Sequence, residues 1–144
     1  MLDSMVRTCP GCGQQNRLPP ARIGDRARCG RCKQPIAPPA EPLEVDAGEF
    51  YEITRSAKIP VLVDFWAEWC GPCKLASSEA RRVARDLAGR ALVLKVDTDR
   101  HPDLAGQFDV RGIPNFVVMK NGKKVYQRAG LVDHNEMQRW LETA

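Results

Sequence analysis

Val61-Leu62-Val63-Asp64-Phe65-Trp66-Ala67-Glu68-Trp69-Cys70-Gly71-Pro72-Cys73-Lys74 runs from an apolar, β-rich segment directly into two cysteines separated by two residues. Val61 to Trp66 reads as a short buried strand, because β-branched and aromatic side chains fill it. From Pro72 to about Leu87 the period changes. Leu75, Ala76, Ala80, Val83, Ala84 and Leu87 fall on one helical face, Arg81, Arg82, Arg85 and Asp86 on the other, and Gly89 offers a stop. The cysteines therefore stand at the head of an amphipathic helix. Unpaired N–H groups and about half a positive charge favour a thiolate there. Pro72 suits the first turn, where a missing N–H costs nothing. The spacing brings the sulfurs within bonding reach, with Cys70 outermost and Cys73 a turn deeper. Such a dithiol is suited to thiol–disulfide exchange: Cys70 attacks a substrate disulfide and Cys73 resolves the mixed disulfide.

Two charged residues adjoin this pair. Asp64 lies inside an apolar strand, where a carboxylate is costly to bury and resists ionisation. It is a candidate base for the Cys73 proton, acting through a water. Lys95 lies in the neighbouring strand Ala91-Leu92-Val93-Leu94-Lys95-Val96 and is placed to pair with Asp64. The plainer alternative is a buried ion pair with no chemical role.

Outward from this centre, strand and helix signals alternate. Asp46 with Glu49 marks a capping box before a helix over Phe50–Ser56, and a short helix is expected around Asp103–Phe108. Phe116–Met119 and Lys124–Gln127 flank Asn121-Gly122, a hairpin signal, and Asp133 with Glu136 opens a last helix to Glu142. The order β-α-β-α-β-α-β-β-α implies an α/β fold. Strands joined through helices are expected parallel, and the hairpin adds an antiparallel edge.

Upstream, Pro35-Ile36-Ala37-Pro38-Pro39-Ala40-Glu41-Pro42 holds four prolines in eight residues. Helix interiors and central strands are excluded, and a stiff extended linker is expected. The chain accordingly divides into a head over 1–35, a linker over 36–43 and a body over 44–144. The head, with few large apolar residues (Leu2, Val6, Leu18 and Ile23 among them), is too short to fold without a metal or disulfides. Cys9/Cys12 and Cys29/Cys32 are separated by sixteen residues, inside the spacing of a four-thiolate zinc site. Gly11, Gly13 and Gly30 are expected to let the turns curl around the ion. Four sulfurs leave no open position, so the site is read as structural. Local disulfides or unbound thiols are the alternatives, and iron suits four thiolates as well as zinc does.

Composition narrows the classes. The 144 residues are 43% hydrophobic and 28% charged, enough for one ordinary core, and no apolar stretch approaches the length of a membrane span. Met1 to Met5 shows no secretory pattern, so a reducing, cytoplasmic setting is expected. Seven Arg/Lys against two acidic residues make residues 1–40 basic, while the remainder carries fifteen against sixteen. The basic residues are scattered and no aromatic platform accompanies them, which favours a solvated surface over a nucleic-acid footprint. His101 and His134 are isolated and read as surface residues.

The stretch Val63–Lys74 resembles the active-site signature of the thioredoxin family, and Lys95, Ile113-Pro114, Asn121-Gly122 and Gly130 extend the likeness over residues 45–144. The four-cysteine head narrows the resemblance to the zinc-ribbon-bearing bacterial subtype. The resemblance implies the thioredoxin fold, a central mixed sheet flanked by helices, with a small zinc-ribbon-like head. It also implies protein-disulfide reductase activity through Cys70 and Cys73. Pro114 is then expected after a cis bond facing the dithiol, with Ile113 offering its backbone to an extended substrate. Trp69, Gly71, Pro72, Ile113, Pro114 and Gly130 would form the docking surface. Electrons would come from an NADPH-dependent thioredoxin reductase, the protein partner besides oxidised protein disulfides. No organic cofactor is implied. Two positions depart from the family pattern. Ala76-Ser77-Ser78 lacks the proline common in the active-site helix, which implies a straighter helix, and Asn115 replaces the usual threonine, which bears on substrate preference. The competing readings are a partner-binding zinc module, or a zinc-release redox sensor, with a regulatory dithiol.

Overall fold

The computed structural model describes residues 5–144; residues 1–4, Leu2 included, lie outside the described residues. The head is built from one turn used twice. Strands β1 (Val6–Thr8) and β2 (Gln15–Arg17) pair antiparallel, as do β3 (Ala27–Arg28) and β4 (Pro35–Ile36), with a 3₁₀ turn at Pro20–Arg22 between the hairpins. In the first hairpin Cys9 N–H donates to Gln14 O and Gly13 N–H to Cys9 O; Cys29, Gln34 and Lys33 repeat both bonds. The left-handed residue of each turn is Gly13 (φ 78°) and Lys33 (φ 67°). Of the three glycines expected to curl the turns, then, only Gly13 adopts that conformation. A lysine takes the equivalent place in the second turn, at a cost of roughly 1 kcal/mol.

The body continues as β5 (Leu43–Glu44), α1 (Ala47–Ser56), β6 (Val61–Trp66), α2 (Gly71–Asp86), β7 (Leu92–Asp97), α3 (Pro102–Gln107), β8 (Asn115–Lys120), β9 (Lys123–Ala129) and α4 (His134–Glu142). This is the element order read from the sequence. Helix α1 starts three residues earlier than expected, because Asp46 and Glu49 make both halves of the capping box and fix the start at Ala47. The five strands lie in the order β5-β7-β6-β8-β9. Strands β5, β7 and β6 are mutually parallel, but β8 runs antiparallel to β6 although a helix precedes it. The expectation of parallel pairing fails there for a geometric reason. Helix α3 has six residues and a length of about 9 Å, whereas the six-residue β7 spans about 20 Å. The helix cannot carry the chain back to the far end of the sheet, so β8 enters where β7 ends. Trp66 pairs with Asp97, and its neighbour Phe65 with Asn115, at that shared end.

Strand alternation separates two cores. Val61, Val63 and Phe65 pack with Phe50, Ile53 and Leu104 on one face. Leu62 packs on the other with Ala76, Ala80 and Val83 of α2 and Met137, Trp140 and Leu141 of α4. Asp64 has the same strand parity as Leu62 and so lies on the α2 side. The head joins the first of these cores: Met5 and Ile23 are fully buried among Phe50, Ile53 and Leu92, with Leu18 packed against them. Gly24 packs closely there: a Cβ would approach Ile59 Cδ1 to 2.5 Å and would have to displace the end of that side chain. The proline-rich segment runs along the body, with Ile36 in β4, Pro39 buried, and Leu43 in the main sheet. A 30-residue unit buries too little surface alone, and this one covers its apolar side chains with its neighbour's core.

Candidate active site and metal centre

Cys70 is the N-cap of α2, and Gly71 and Pro72 form its first exposed turn. The Cys73 N–H donates to Cys70 Sγ at 3.2 Å, directing one of the helix's unpaired donors onto this sulfur. Cys70 and Cys73 are joined as a disulfide with their Cα atoms 5.3 Å apart. The residues are 3% and 2% exposed, so accessibility alone does not separate an outer from an inner cysteine. Their surroundings do: Cys70 Sγ lies 3.8 Å from the carbonyl oxygen of Ile113, while Cys73 is buried within the first turn of α2. The Ile113–Pro114 bond is cis. Pro114 O accepts the N–H of Gly130, whose φ of 98° favours glycine, and this bond ties the Gly130 segment to the cis-proline loop.

Trp69 stands 69% exposed, and its indole donates to Asp99 Oδ2 at 3.0 Å. Asp99, thirty positions away in the loop after β7, escaped sequence reasoning, since no local pattern links the two. Asn115 is buried. It donates to Gly112 O and accepts from Gln127, which also donates to Phe108 O. Its amide therefore braces the loop carrying Ile113 and Pro114 from behind.

Asp64 is fully buried, and neither carboxylate oxygen has a hydrogen-bond partner among the described residues. Burial pushes its carboxyl up to about 7, against an opposing pull from the positive charge of Lys95. The backbones of Asp64 and Lys95 are registered side by side, but the expected direct pair is not formed. The Lys95 ammonium lies instead 4.5 Å from the centre of the Trp66 ring, a cation–π contact. Lysine's long stem lets the charge reach the aromatic face and leaves Asp64 buried on the α2 side of the sheet without an ion-pair partner.

The four head cysteines converge from the two knuckles. All their sulfurs lie within 4.8 Å of one another; Cys9 Sγ is 3.5 Å from Cys32 Sγ, and Cys12 Sγ 3.6 Å from Cys29 Sγ. A tetrahedron of sulfurs about 2.3 Å from a zinc ion has edges of about 3.8 Å, so the set fits such an ion. The N–H groups of Cys32 and Arg31 also point at Cys29 Sγ and bring its thiol down to about 6. A thiolate ligand needs donors of this kind. His101 is the N-cap residue of α3, and His134 Nδ1 lies 3.3 Å from Glu79 Oε1; neither belongs to the cluster. Among the described residues no helix is long and apolar enough to cross a membrane.

Comparison with known proteins agrees with both halves of this geometry. Residues 41–143 match the thioredoxin family model, and residues 8–34 match the model described as thioredoxin 2, N-terminal. Thioredoxin C-3 of Corynebacterium nephridii is 36% identical over 138 residues, covering 96% of this chain and 94% of its own. Thioredoxin 1 of Chlorobaculum tepidum is 37% identical over 86 residues, 60% of this chain and 85% of its own. A solved mutant thioredoxin from Halobacterium salinarum superposes with a TM-score of 0.66 at 35% identity, covering 75% of this chain and 94% of that one. Chloroplastic thioredoxin z superposes with a TM-score of 0.67 at 28% identity, covering 72% and 93%. With its helix-capping disulfide, cis-proline loop and ribbon of four cysteines, the chain belongs to the thioredoxin family as a thiol–disulfide oxidoreductase that carries a thioredoxin 2-type zinc ribbon.

Proposed function

We propose that the chain is a protein-disulfide reductase in which Cys70 attacks, Cys73 resolves and Asp64 manages the proton of Cys73. The supporting observation is the helix-capping dithiol together with a buried, unpartnered carboxyl raised to about 7, which holds both protonation states in reach near neutral pH. In the reduced protein the Cys70 thiolate attacks one sulfur of a substrate disulfide. That S–S bond breaks, a mixed disulfide forms, and the departing sulfur takes a proton. Asp64, ionised, accepts the Cys73 proton through a water. The Cys73 thiolate then attacks Cys70 Sγ, the internal disulfide forms, and the second substrate thiol leaves. Two electrons pass from the dithiol to the substrate. Lys95 tunes Asp64 by its charge. Trp69, Gly71, Pro72, Ile113, Pro114 and Gly130 surround the attacked sulfur, with Ile113 offering its backbone to an extended segment.

One zinc ion held by Cys9, Cys12, Cys29 and Cys32 would lock the two knuckles together, leaving no position for catalysis. We assign the metal domain to 1–35, the connecting segment to 36–43 and the thioredoxin domain to 44–144. Restoring the dithiol requires a two-electron donor, which we assign to an NADPH-dependent thioredoxin reductase acting in a reducing cytoplasm. The test is Cys73→Ser. It should accumulate a mixed disulfide on Cys70 with a model protein disulfide. A mixed disulfide on a head cysteine, or none at all, would overturn the assignment.

A further inference from the structure

On the resolving side of the dithiol, α2 and the sheet enclose a cleft of about 290 Å³. Lys74, Ser77 and Arg81 line it at helical spacing along one stripe of α2, and Lys95, Trp66, Ala67, Glu68 and Cys73 complete it. Its charge is unbalanced. Lys74, Arg81 and Lys95 line it with a single carboxylate, Glu68, and no salt bridge joins any of these four lining charges among the described residues. The buried Asp64 acts on Lys95 from the neighbouring strand, which leaves Lys74 and Arg81 as the uncompensated pair. Arg82 and Arg85, on the same helix, contrast with them, since both are satisfied by Asp86. A second sign is independent of charge: Trp66 lines the cleft, and its buried indole N–H has no partner among the described residues. Buried indole donors normally find one. Donors in excess, a basic stripe and a hollow of this size suit an oxyanion.

We propose that this cleft is an oxyanion subsite, taking a carboxylate or phosphate group against Lys74, Ser77 and Arg81 beside Cys73. Two sources share that chemistry: an acidic side chain on the disulfide substrate, or a free phosphate. Arg81 is the selective residue, because it is exposed at the rim and has no part in the exchange step proposed above. The inference rests on that exchange only where turnover is measured; binding of an anion can be read without it.

The experiment uses the full-length, metal-loaded protein and its Arg81→Gln variant. Two disulfide peptides, identical except for Glu or Gln beside the cysteine, are reduced with and without inorganic phosphate. Separately, phosphate alone is titrated while the Trp66 indole N–H resonance is followed. Reduction of the neutral peptide should be equal in both proteins, which establishes intact folding and exchange. With the wild type, kcat/KM for the acidic peptide should exceed that for the neutral one by about tenfold, and Arg81→Gln should abolish the difference. Phosphate competing only against the acidic peptide identifies the substrate side chain as the source. Phosphate shifting the Trp66 resonance through Arg81, with both peptides equal, identifies the free anion. Equal peptides together with an unmoved Trp66 resonance would overturn the proposal, whereas failure to reduce the neutral peptide would count against the exchange mechanism instead.

Discussion

Cys9-Pro10-Gly11-Cys12 and Cys70-Gly71-Pro72-Cys73 place the same two residues between their cysteines in opposite order, yet they occupy unlike structures. After Cys12 the chain turns left-handed at Gly13 and returns as the hairpin strand β2. Its sulfurs are directed across to a second hairpin rather than to each other. Cys70 caps the sixteen-residue helix α2, which begins at Gly71 and contains Cys73; its first turn holds the sulfurs together and directs an N–H at one of them. The motif itself is therefore not informative about its use. The element that holds the second cysteine decides whether the sulfurs are gathered with those of another hairpin or joined to each other. A helix start stabilises one anion, while paired hairpins collect four sulfurs around a positive centre.

The sharpest way to break this contrast is Cys70→Ser. Reduction of a model disulfide should fall by at least about a thousandfold, while metal content, measured by elemental analysis, stays at that of the wild type. Loss of metal in this variant would show that the two centres are not separate. Next in size is the joint between them. Ile23 belongs to the head by sequence but is fully buried in the body's core. Ile23→Ala should cost about 2–4 kcal/mol in chemical unfolding followed by tryptophan fluorescence, with the dithiol still fully reducible in the folded protein. An unchanged unfolding midpoint would mean that the head folds independently of the body.

Asp64 sharpens the comparison at a smaller scale, as the one buried acid beneath a dithiol. Unfolded, its carboxyl loses a proton near the ordinary 3.8; folded, it keeps it to about 7. The native state thus binds the extra proton between those values, and this group's contribution makes stability fall as pH rises from about 4 to 7. Above that window a penalty of roughly 4 kcal/mol remains. Asp64→Asn should remove the slope, measured as unfolding free energy against pH. It should also slow reduction near neutral pH by about tenfold, less than a full loss because solvent can still deprotonate Cys73. A variant that keeps the wild-type slope would place the titrating group elsewhere.

Much of the site was legible because its determinants are local. The apolar run ending at Trp66, the helical stripe after Pro72 and the Asn121-Gly122 turn each prescribe their own conformation, and they place Cys70 and Asp64 without further information. Asn121 and Gly122 have φ of 54° and 77°, as the hairpin requires. Asp99 holding Trp69, Asn115 bracing the Pro114 loop, and Lys95 lying on Trp66 instead of bonding Asp64 were not legible. Each is a contact between segments whose distance is set only when the sheet assembles.

From the residues alone came the element order, the two kinds of cysteine pair, and the acid buried beneath one of them, since period, turn chemistry and spacing act over a few positions of chain. Only the tertiary structure decided the antiparallel entry of β8, the sharing of one core by head and body, and the cleft that gathers Lys74, Arg81 and Lys95. These depend on how far a short helix reaches and on which surfaces must escape water together, and neither quantity is carried by any single stretch of sequence.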